Sequence, residues 1–384
     1  MNKLGGNFFE DLYPGQVLVN PVPRTLTHGD TALYIALTGD RNPRFCSDEF
    51  ARGLGFERAP VHDMLVFHIV FGRTVGEISL NSPGNLGYAD LRFLRPVYTG
   101  DTLRATTETL GWRETSKGDT GVVWVRTIGF NQRDEEVLRF FRWVMVNKRP
   151  ATAGAYPGGR RPGKPGADPG GKREPDKSSG ADQPAEMPEQ ASLEQVWFPE
   201  VRRFDASATG GTRFWEDYSA GERIAHPQGM TLEEAEHQMA TRLYQNTARV
   251  HFNQHQQASS RHGRRIVYGG HVISVAHALS FDGLENALGM AAWNGGQHTN
   301  PTFAGDTLFA WTEVVERIEL GRADIGALRL RLVACKNVDP NAEEVAVKVV
   351  EAPGTGEPGR ERYSAAVVLD LDYVALMPKR AVAV

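Results

Sequence analysis

The chain has 384 residues, which is long enough for two domains of ordinary size, each burying its own hydrophobic core. Its 43 basic and 47 acidic side chains leave a formal net charge of −4, which argues against a nucleic-acid partner and against a polybasic membrane surface. No apolar run reaches the about 18 residues that a spanning helix needs, so we expect no membrane partner.

The predicted elements of the first half begin with helices. Thr27 has the hydroxyl of a helix N-cap, and a helix is predicted over residues 27–38. A Gly-Asp-x-Asn-Pro loop follows, and after it comes a short helix over residues 47–51. The longest helix is predicted over residues 62–78, where apolar residues recur at helical spacing.

After that helix the pattern becomes typical of strands. Branched and aromatic residues at 122–125 and 140–146 predict two strands, and residues 131–134 have the composition of a hairpin turn between them. The second half repeats this pattern at 327–333 and 365–369. A long helix followed by antiparallel strands predicts an α+β fold and disfavours a doubly wound nucleotide-binding fold.

One segment differs in composition from both of its neighbours. Residues 149–191 are rich in Gly, Pro and charged side chains, with almost no apolar residue to bury. Such a segment cannot offset the entropy lost on ordering, so we predict a disordered linker. It separates an N-terminal domain, residues 1–148, from a C-terminal domain, residues 192–384.

The cysteines and the first residues bear on where the protein works. Residues 1–7 lack the apolar core of a signal peptide, which predicts a cytoplasmic protein. Cys46 and Cys335 lie far apart and make no metal-type spacing. We therefore expect two buried free thiols in a reducing compartment, and no bound metal.

The two halves of the chain are copies of one domain. Residues 9–15 recur as residues 215–221, which lie 206 positions later. Residues 96–103 recur as residues 301–308, at an offset of 205. A single short match arises easily by chance, but an ordered series at nearly constant offset does not. The repeat predicts two domains of the same fold.

Two histidine pairs suggest a small insertion in the second copy. His62 and His68 match His271 and His277 at an offset of 209. The second copy is therefore expected to hold about three extra residues before its long helix.

The two copies divide one catalytic motif between them. The loop of the first copy contains Asp40, but it carries Phe45 where the motif has a histidine. The loop of the second copy contains that histidine, His251, but it carries Asn246 in place of the acid. Both pairs of positions are 206 residues apart, so the two losses are complementary.

The loop Gly39-Asp40-Arg41-Asn42-Pro43 resembles the motif of the MaoC-like (R)-specific enoyl-CoA hydratase family. The helix starts at 60–63 and 268–271, and the segments 96–103 and 301–308, resemble the same family further along. The resemblance implies a tandem (double) hotdog, each a curved antiparallel sheet wrapped around a central helix, acting on CoA thioesters. Single-copy relatives form such a pair by dimerising; a homo-oligomer of the tandem chain stays an open alternative.

Within that family, residues 243–253 are most similar to the mesaconyl-CoA hydratase group, and Phe45 and Asn246 also fit this group. The resemblance implies a hydro-lyase that reversibly hydrates mesaconyl-CoA to β-methylmalyl-CoA, with no cofactor beyond the CoA of the substrate. One alternative is an (R)-specific enoyl-CoA hydratase acting on ordinary acyl chains. The other is a non-catalytic acyl-CoA-binding protein, which the broken motifs would suit.

Hydration of a thioester needs a group that moves a proton, and His251 has a suitable side chain because the unperturbed pKa of histidine is about 6.5. In one arrangement, His251 acts alone in the second half while Asn246 orients the water. In the other, Asp40 reaches across to His251. Hotdog pairs place their two equivalent loops in separate sites, which favours the first arrangement.

Substrate binding is expected to use a cation, because the mesaconyl group carries a free carboxylate. Arg249 is the predicted clamp, since a guanidinium pairs with a carboxylate through two hydrogen bonds. Arg41 and Arg44 are competing candidates.

The residues at the predicted helix starts are candidates for binding the thioester and CoA. Gly270 and His271 stand at the start of the second long helix, where backbone amides can stabilise a negative oxygen. His62 holds the corresponding place in the first copy. A helix-capping role for His62 and His271 is the simpler alternative, and His68 and His277 are expected to be packing or hydrogen-bonding residues.

Overall fold

The computed structural model describes residues 5–150, 188, 190–351 and 360–384. Most of the predicted linker, residues 151–187, lies outside the described residues. No helix in the described part of the chain has the length and apolar character needed to cross a membrane.

Each half contains five main strands and a buried helix. The first half comprises β1 (Val17–Thr25), α1 (His28–Thr38), α2 (Asp48–Gly53), α3 (Asp63–Thr74), β2 (Gly84–Phe93), β3 (Thr102–Glu114), β4 (Thr120–Phe130) and β5 (Glu136–Asn147). The second comprises β6 (Arg223–Thr231), α4 (Glu234–Leu243), α5 (Arg249–Phe252), α6 (Gln254–Gln257), α7 (Gly269–Leu279), β7 (Gly289–His298), β8 (Thr307–Ile318), β9 (Ile325–Lys336), β10 (Lys348–Glu351), β11 (Arg360–Tyr363) and β12 (Val367–Pro378).

The main strands form one ten-stranded antiparallel sheet, in the order β1-β3-β4-β5-β2-β7-β12-β9-β8-β6. The order of the second half mirrors that of the first, and the halves join where β2 pairs with β7, for example Tyr88 with Gly296. Strands β10 and β11 form a separate hairpin. This arrangement confirms the predicted α+β class and the tandem repeat.

A central helix packs against each half-sheet. In α3 every residue from Asp63 to Thr74 is buried, and the helix packs against β1, β3, β4 and β5. Leu65 and Ile69 have no exposed surface, and burial of one such side chain stabilises the fold by about 1.5–3 kcal/mol. Helix α7 packs in the same way against β6, β8 and β9. The curved sheet around a buried helix is the predicted hotdog arrangement.

Local sequence signals account for the start of the first half. Thr27 caps α1, because its hydroxyl accepts a hydrogen bond from the Asp30 amide at 3.2 Å. Gly39 ends the helix with a φ of 69°, a left-handed conformation that glycine adopts at little cost. The chain then turns into the loop that carries Asp40. Helix α2 and the hairpin between β4 and β5 also agree with the sequence prediction.

The expected insertion before the second long helix is wrong. Helices α3 and α7 begin at Asp63 and Gly269, which are 206 residues apart, as in the preceding loops. The amides of Val61 and Val267, also 206 apart, make equivalent hydrogen bonds of 2.7 and 2.9 Å to the carbonyls of Val97 and Thr302, which precede β3 and β8. The copies therefore stay in register up to the helix start.

This register changes which residues correspond between the halves. The predicted offset of 209 differs from the observed 206 by three residues, which is almost one turn of an α-helix. The predicted histidine matches therefore lie on the correct helix face but one turn too far along the helix. The true counterparts of His62 and His68 are Tyr268 and Ser274, rather than His271 and His277.

The expectation of two buried thiols is half wrong. Both cysteines are free, and Cys335 is buried in β9, but Cys46 is exposed. Cys46 directly follows the single helical turn Pro43–Phe45, and its thiol donates to the Asn42 carbonyl at 3.7 Å.

Candidate active site

The two motif loops adopt the same local conformation in the two halves. The side chain of Asp40 accepts a hydrogen bond from the Asn42 amide at 2.9 Å. The side chain of Asn246 accepts one from the Ala248 amide at 3.0 Å. Both are the short side-chain turns that Asp and Asn readily form. The acid and its replacement therefore serve the same local structural purpose.

Asp40 lies in a buried cluster with two histidines. His62 Nε2 lies 3.2 Å from Asp40 Oδ2, and Nδ1 of His277, from the second half, lies 3.9 Å from the same oxygen. Burial alone raises the pKa of Asp40, but the two histidines and the Asn42 amide outweigh it and lower the pKa to about 2. Asp40 is therefore an ionised, hydrogen-bonded carboxylate at neutral pH.

The same three side chains are close enough to suggest a metal site, since their ligand atoms lie within 4.8 Å of one another. The hydrogen bonds of His62 argue against it. His62 Nδ1 accepts a hydrogen bond from the Met64 amide at 3.1 Å, so its proton is on Nε2 and is donated to Asp40. A metal ligand needs a lone pair at that nitrogen. The cluster therefore fits a hydrogen-bonded structure better than a metal.

His251 has the properties of a neutral base. Its Nδ1 lies 3.0 Å from the Ile266 carbonyl, an acceptor, so Nδ1 carries the proton and Nε2 keeps its lone pair. Burial lowers the pKa of His251 to about 4, although the hydrogen bond to Ile266 raises it. Part of the residue still reaches solvent, and its ring centroid lies 5.4 Å from that of Tyr268.

The structure does not bring Asp40 and His251 together. In the described part of the chain, no hydrogen bond or ion pair joins them, and Asp40 instead contacts His62 and His277. The sequence predicted a packing or hydrogen-bonding role for His277 but did not identify Asp40 as its neighbour. The histidine itself was visible, but its position depends on where α7 ends relative to the loop of the other half.

The start of α3 in the first half is closed by side chains. His62 caps the helix through the hydrogen bond from the Met64 amide, as the capping alternative predicted. The next residue, Asp63, forms a buried ion pair with Arg44 at 3.0 Å. A thioester oxygen approaching this helix start would meet a carboxylate and an amide that is already bonded.

The start of α7 in the second half is open by comparison. Tyr268 stands at the N-cap but makes no capping hydrogen bond with its side chain. Gly269 and Gly270 follow, in place of Asp63 and Met64, and a helix leaves such first-turn amides without intrahelical partners. Only in this half do a free helix start and a motif histidine occur together among the described residues.

His271 is the third residue of α7, whereas its predicted match to His62 would place it at the N-cap. It is 2% exposed, and its Nδ1 lies 3.3 Å from the Tyr244 hydroxyl. Burial lowers the pKa of His271 to about 4, so it is neutral at physiological pH. Its ring packs behind the helix start.

The three candidate arginines differ in their partners. Arg41 pairs with Asp282 at 2.7 Å, and Arg44 pairs with Asp63. Arg249, which begins α5, is half-buried, and its side chain makes no hydrogen bond or ion pair with the described residues. Of the three, it is the one whose charge is free for a substrate.

Comparison with known sequences gives a family. The family model described as mesaconyl-CoA hydratase matches residues 2–342 of the chain. A β-methylmalyl-CoA dehydratase from Chloroflexus aurantiacus is 48% identical over 376 residues, which cover 98% of each of the two chains.

Solved structures agree with this match. A MaoC domain protein from Chloroflexus aurantiacus superposes with a TM-score of 0.82 at 46% identity, over 99% of both chains. A double hotdog protein from Mycobacterium tuberculosis superposes with a TM-score of 0.70 at 26% identity, over 98% of this chain and 99% of the other. The predicted double hotdog fold is therefore confirmed.

Proposed function

This chain belongs to the mesaconyl-CoA hydratase family, and we propose that it reversibly hydrates mesaconyl-CoA to β-methylmalyl-CoA. It is an enzyme of the hydro-lyase class. The observation that carries the proposed reaction is His251, a neutral imidazole with a free Nε2 in the half whose central helix start is open.

His251 moves the proton in this proposal. Its Nε2 takes a proton from water as the water oxygen bonds to the β-carbon of the unsaturated thioester. The π electrons of the double bond pass to the thioester, which becomes an enolate. The imidazolium of His251 then returns a proton to the α-carbon, so the reaction adds one water in total. The reverse sequence removes water from β-methylmalyl-CoA.

The enolate oxygen needs donors, and the first turn of α7 supplies them. The amides of Gly269 and Gly270 point out of the helix start, where the helix dipole also favours negative charge. Asn246 cannot exchange a proton as a carboxylate does. Its Nδ2 makes no hydrogen bond to the described residues and is available to orient the water or the thioester.

The first half has a supporting role in this proposal. Asp40 is held by His62 and His277, and Asp63 with Arg44 closes the equivalent helix start. We assign His62 to capping α3 and holding Asp40, since both of its ring nitrogens are engaged. His271 likewise supports the α7 start from behind, through its contact with Tyr244.

We also propose that the reaction needs no cofactor beyond the CoA of the substrate, because adding water requires only proton transfer and stabilisation of the enolate. Arg249, with its free charge, is assigned to the phosphate groups of CoA. A cytoplasmic location suits the free thiols Cys46 and Cys335. The tandem chain itself supplies both hotdogs of the pair.

The test is a direct assay of the purified protein. Mesaconyl-CoA and crotonyl-CoA are supplied separately, and the loss of the conjugated-thioester absorbance is followed. We expect turnover of mesaconyl-CoA with a higher kcat/KM than for crotonyl-CoA. Turnover of crotonyl-CoA alone would replace the substrate with an ordinary acyl chain. No turnover of either would favour an acyl-CoA-binding protein.

A further inference from the structure

Arg142 is a buried cation without a counter-ion. It lies in β5 and has no exposed surface. Its guanidinium stands 4.3 Å over the ring of Phe71, and its two terminal nitrogens donate to the hydroxyls of Thr74 at 2.7 Å and Ser79 at 3.4 Å. Its Nε has no hydrogen-bond partner in the described part of the chain, and none of its partners there is a carboxylate.

Such a group is costly to keep in a protein interior. Removing a cation from water costs several kcal/mol unless an anion and hydrogen bonds compensate, and two hydroxyls compensate only in part. Burial lowers the pKa of Arg142 to about 10, so the side chain still carries its charge at neutral pH. A retained charge of this kind is suited to binding an anion that arrives from outside.

The repeat relates Arg142 to a residue that lines a small cavity beside the loop of the first half. Beside Asp40 of the first half, a small cavity is lined by His277 and Tyr373 of the second half. Tyr373 of β12 is paired with Trp293 of β7. At the equivalent positions of the first half, Arg142 of β5 is paired with Tyr88 of β2. Arg142 therefore stands where Tyr373 lines the cavity of the other half.

Two further residues connect Arg142 to the reacting histidine. Phe71, which lies under the guanidinium, is the counterpart of His277 and has its ring centroid 5.5 Å from that of Tyr268. The Tyr268 ring in turn lies 5.4 Å from His251. The Tyr268 hydroxyl is buried without a hydrogen-bond partner among the described residues. A second unpaired polar group therefore lies between Arg142 and His251.

We propose that Arg142 binds the free carboxylate of the acyl group and that the Tyr268 hydroxyl is a second donor to it. This inference rests on the proposed function, since it assigns the carboxylate end of the same substrate. The thioester oxygen lies at the start of α7, the reacting double bond lies beside His251, and the carboxylate points toward β5. Arg142 is then the specificity-determining residue, because an acyl chain without a carboxylate leaves the cation unpaired.

Arg142 suits this task better than Arg249. Arg249 is half-buried, so solvent weakens its attraction for an anion, whereas the interior around Arg142 strengthens it. An acyl chain without a carboxylate would offer Arg142 no hydrogen-bond acceptor, so the buried charge would stay unpaired. Discrimination against such chains is therefore strong at Arg142 and weak at Arg249.

The experiment measures binding of two unreactive thioesters, so its outcome does not depend on turnover. Dissociation constants of succinyl-CoA, which carries a carboxylate, and butyryl-CoA, which does not, are measured for the wild type and for Arg142→Met. We expect wild type to prefer succinyl-CoA, and Arg142→Met to weaken succinyl-CoA binding by roughly 100-fold or more. Binding of butyryl-CoA should change by no more than about threefold, because it makes no contact with the charge.

Two further variants serve as controls. Tyr373→Phe, at the equivalent position of the other half, is expected to bind both thioesters as wild type does. Arg142→Lys keeps the charge but loses the planar fork, and we expect a smaller loss of about tenfold for succinyl-CoA alone. It also provides the comparison if the Met variant does not fold, which thermal unfolding reports.

Each outcome decides the matter. Equal weakening of both thioesters by folded Arg142→Met or Arg142→Lys would mean that Arg142 is structural and would overturn the inference. Equal affinities in wild type would overturn it as well. If succinyl-CoA is preferred through Arg142 while the protein does not hydrate mesaconyl-CoA, the carboxylate site stands and the proposed reaction fails.

Discussion

His68 Nε2 lies 2.7 Å from Ser274 Oγ, and these two residues occupy the same position in the central helices of the two halves. Equivalent residues can meet in this way only near the pseudo-twofold axis that relates the copies. The contact therefore marks where α3 faces α7. Because burial lowers the pKa of His68 well below its usual value, the ring is neutral and Nε2 forms one hydrogen bond with the Ser274 hydroxyl.

Replacing Ser274 with Ala should destabilise the fold without changing the chemistry. The change leaves His68 Nε2 buried without a partner, which costs about 1–3 kcal/mol in free energy of unfolding. Urea unfolding at pH 7.5 measures this cost. In a double-mutant cycle, His68→Leu combined with Ser274→Ala should cost less than the sum of the two single variants. Strictly additive costs would show that the hydrogen bond contributes nothing.

Replacing His251 with Gln should abolish most of the hydration activity. Gln fills similar space but cannot take a proton from water, and loss of a positioned general base lowers the rate by roughly 10²–10⁴-fold. The measurement is kcat with saturating mesaconyl-CoA. The thermal unfolding midpoint should stay close to that of wild type, since the Nδ1 bond to Ile266 is one contact among many.

Asp40→Asn is the matched change in the other loop, and its expected effect is on stability. Asn still accepts the Asn42 amide, but it puts a neutral amide in place of the carboxylate that accepts from His62 and lies near His277. We expect kcat within about threefold of wild type and a stability loss of about 1–3 kcal/mol. An inactive but folded Asp40→Asn protein would show that the acid belongs to the reacting site after all.

The activity should persist to unusually low pH. His251 must be unprotonated to act as a base, and burial places its pKa at about 4. The value of kcat/KM should therefore be nearly constant from pH 8 to about pH 5 and fall below that, whereas an ordinary histidine would give a decline near pH 6.5. Short assays after a pH jump separate this effect from unfolding. An acid limb centred near 6.5 would contradict the assignment.

Stability should decline over the pH range in which activity does not. Burial lowers the pKa of five histidines to about 4: His226, His251, His271, His277 and His298. Below pH 6.5 the unfolded chain binds protons that the native state does not, so the free energy of unfolding falls from about pH 6.5 toward pH 4. Each histidine adds at most about 1.4 kcal/mol per pH unit.

Urea midpoints at pH 7.5, 6.0 and 5.0 measure this decline. Above pH 6.5 these histidines are neutral in both states and contribute no slope. A midpoint that is unchanged between pH 7.5 and 5.0 would mean that the rings take up protons in the native state.

The sequence predicted the fold because its signals are local. The cap at Thr27, the stop at Gly39 and the apolar spacing of the long helix each depend on a few neighbouring residues. The loop motif likewise fixed the equivalence of Asp40 with Asn246, since both side chains bond their own backbone.

What the sequence missed depends on contacts between distant segments. His277 meets Asp40 only because α7 ends beside the loop of the other half. In the sequence, Arg142 is one charged residue in an aromatic strand segment. Its burial without an anion results from the packing of β5 against the end of α3, which the sequence alone does not show. The match at 209 failed for a similar reason: residues one turn apart share a helix face, and only the helix starts distinguish them.

The contrast between the two helix starts gives a final prediction. Gly269→Asp installs in the second half the residue that the first half has at the same position, Asp63. A carboxylate there repels the enolate and occupies the free amides, so we expect kcat to fall by roughly 10²–10³-fold. Asp63→Gly, the reverse change, should leave kcat within about threefold while it destabilises the fold, because Arg44 loses its buried partner.

Gly269→Ala separates the charge from the bulk of the new side chain. A Cβ at Gly269 would lie 2.5 Å from the ring of His298, so both variants must displace that ring. If steric displacement were the whole effect, Ala and Asp would lower kcat equally. A further loss in the Asp variant, of at least about tenfold at equal stability, would identify the amides of α7 as donors to a negative oxygen. Wild-type kcat in Gly269→Asp would instead exclude this helix start from the reaction, because a negative oxygen could not approach a carboxylate there unhindered.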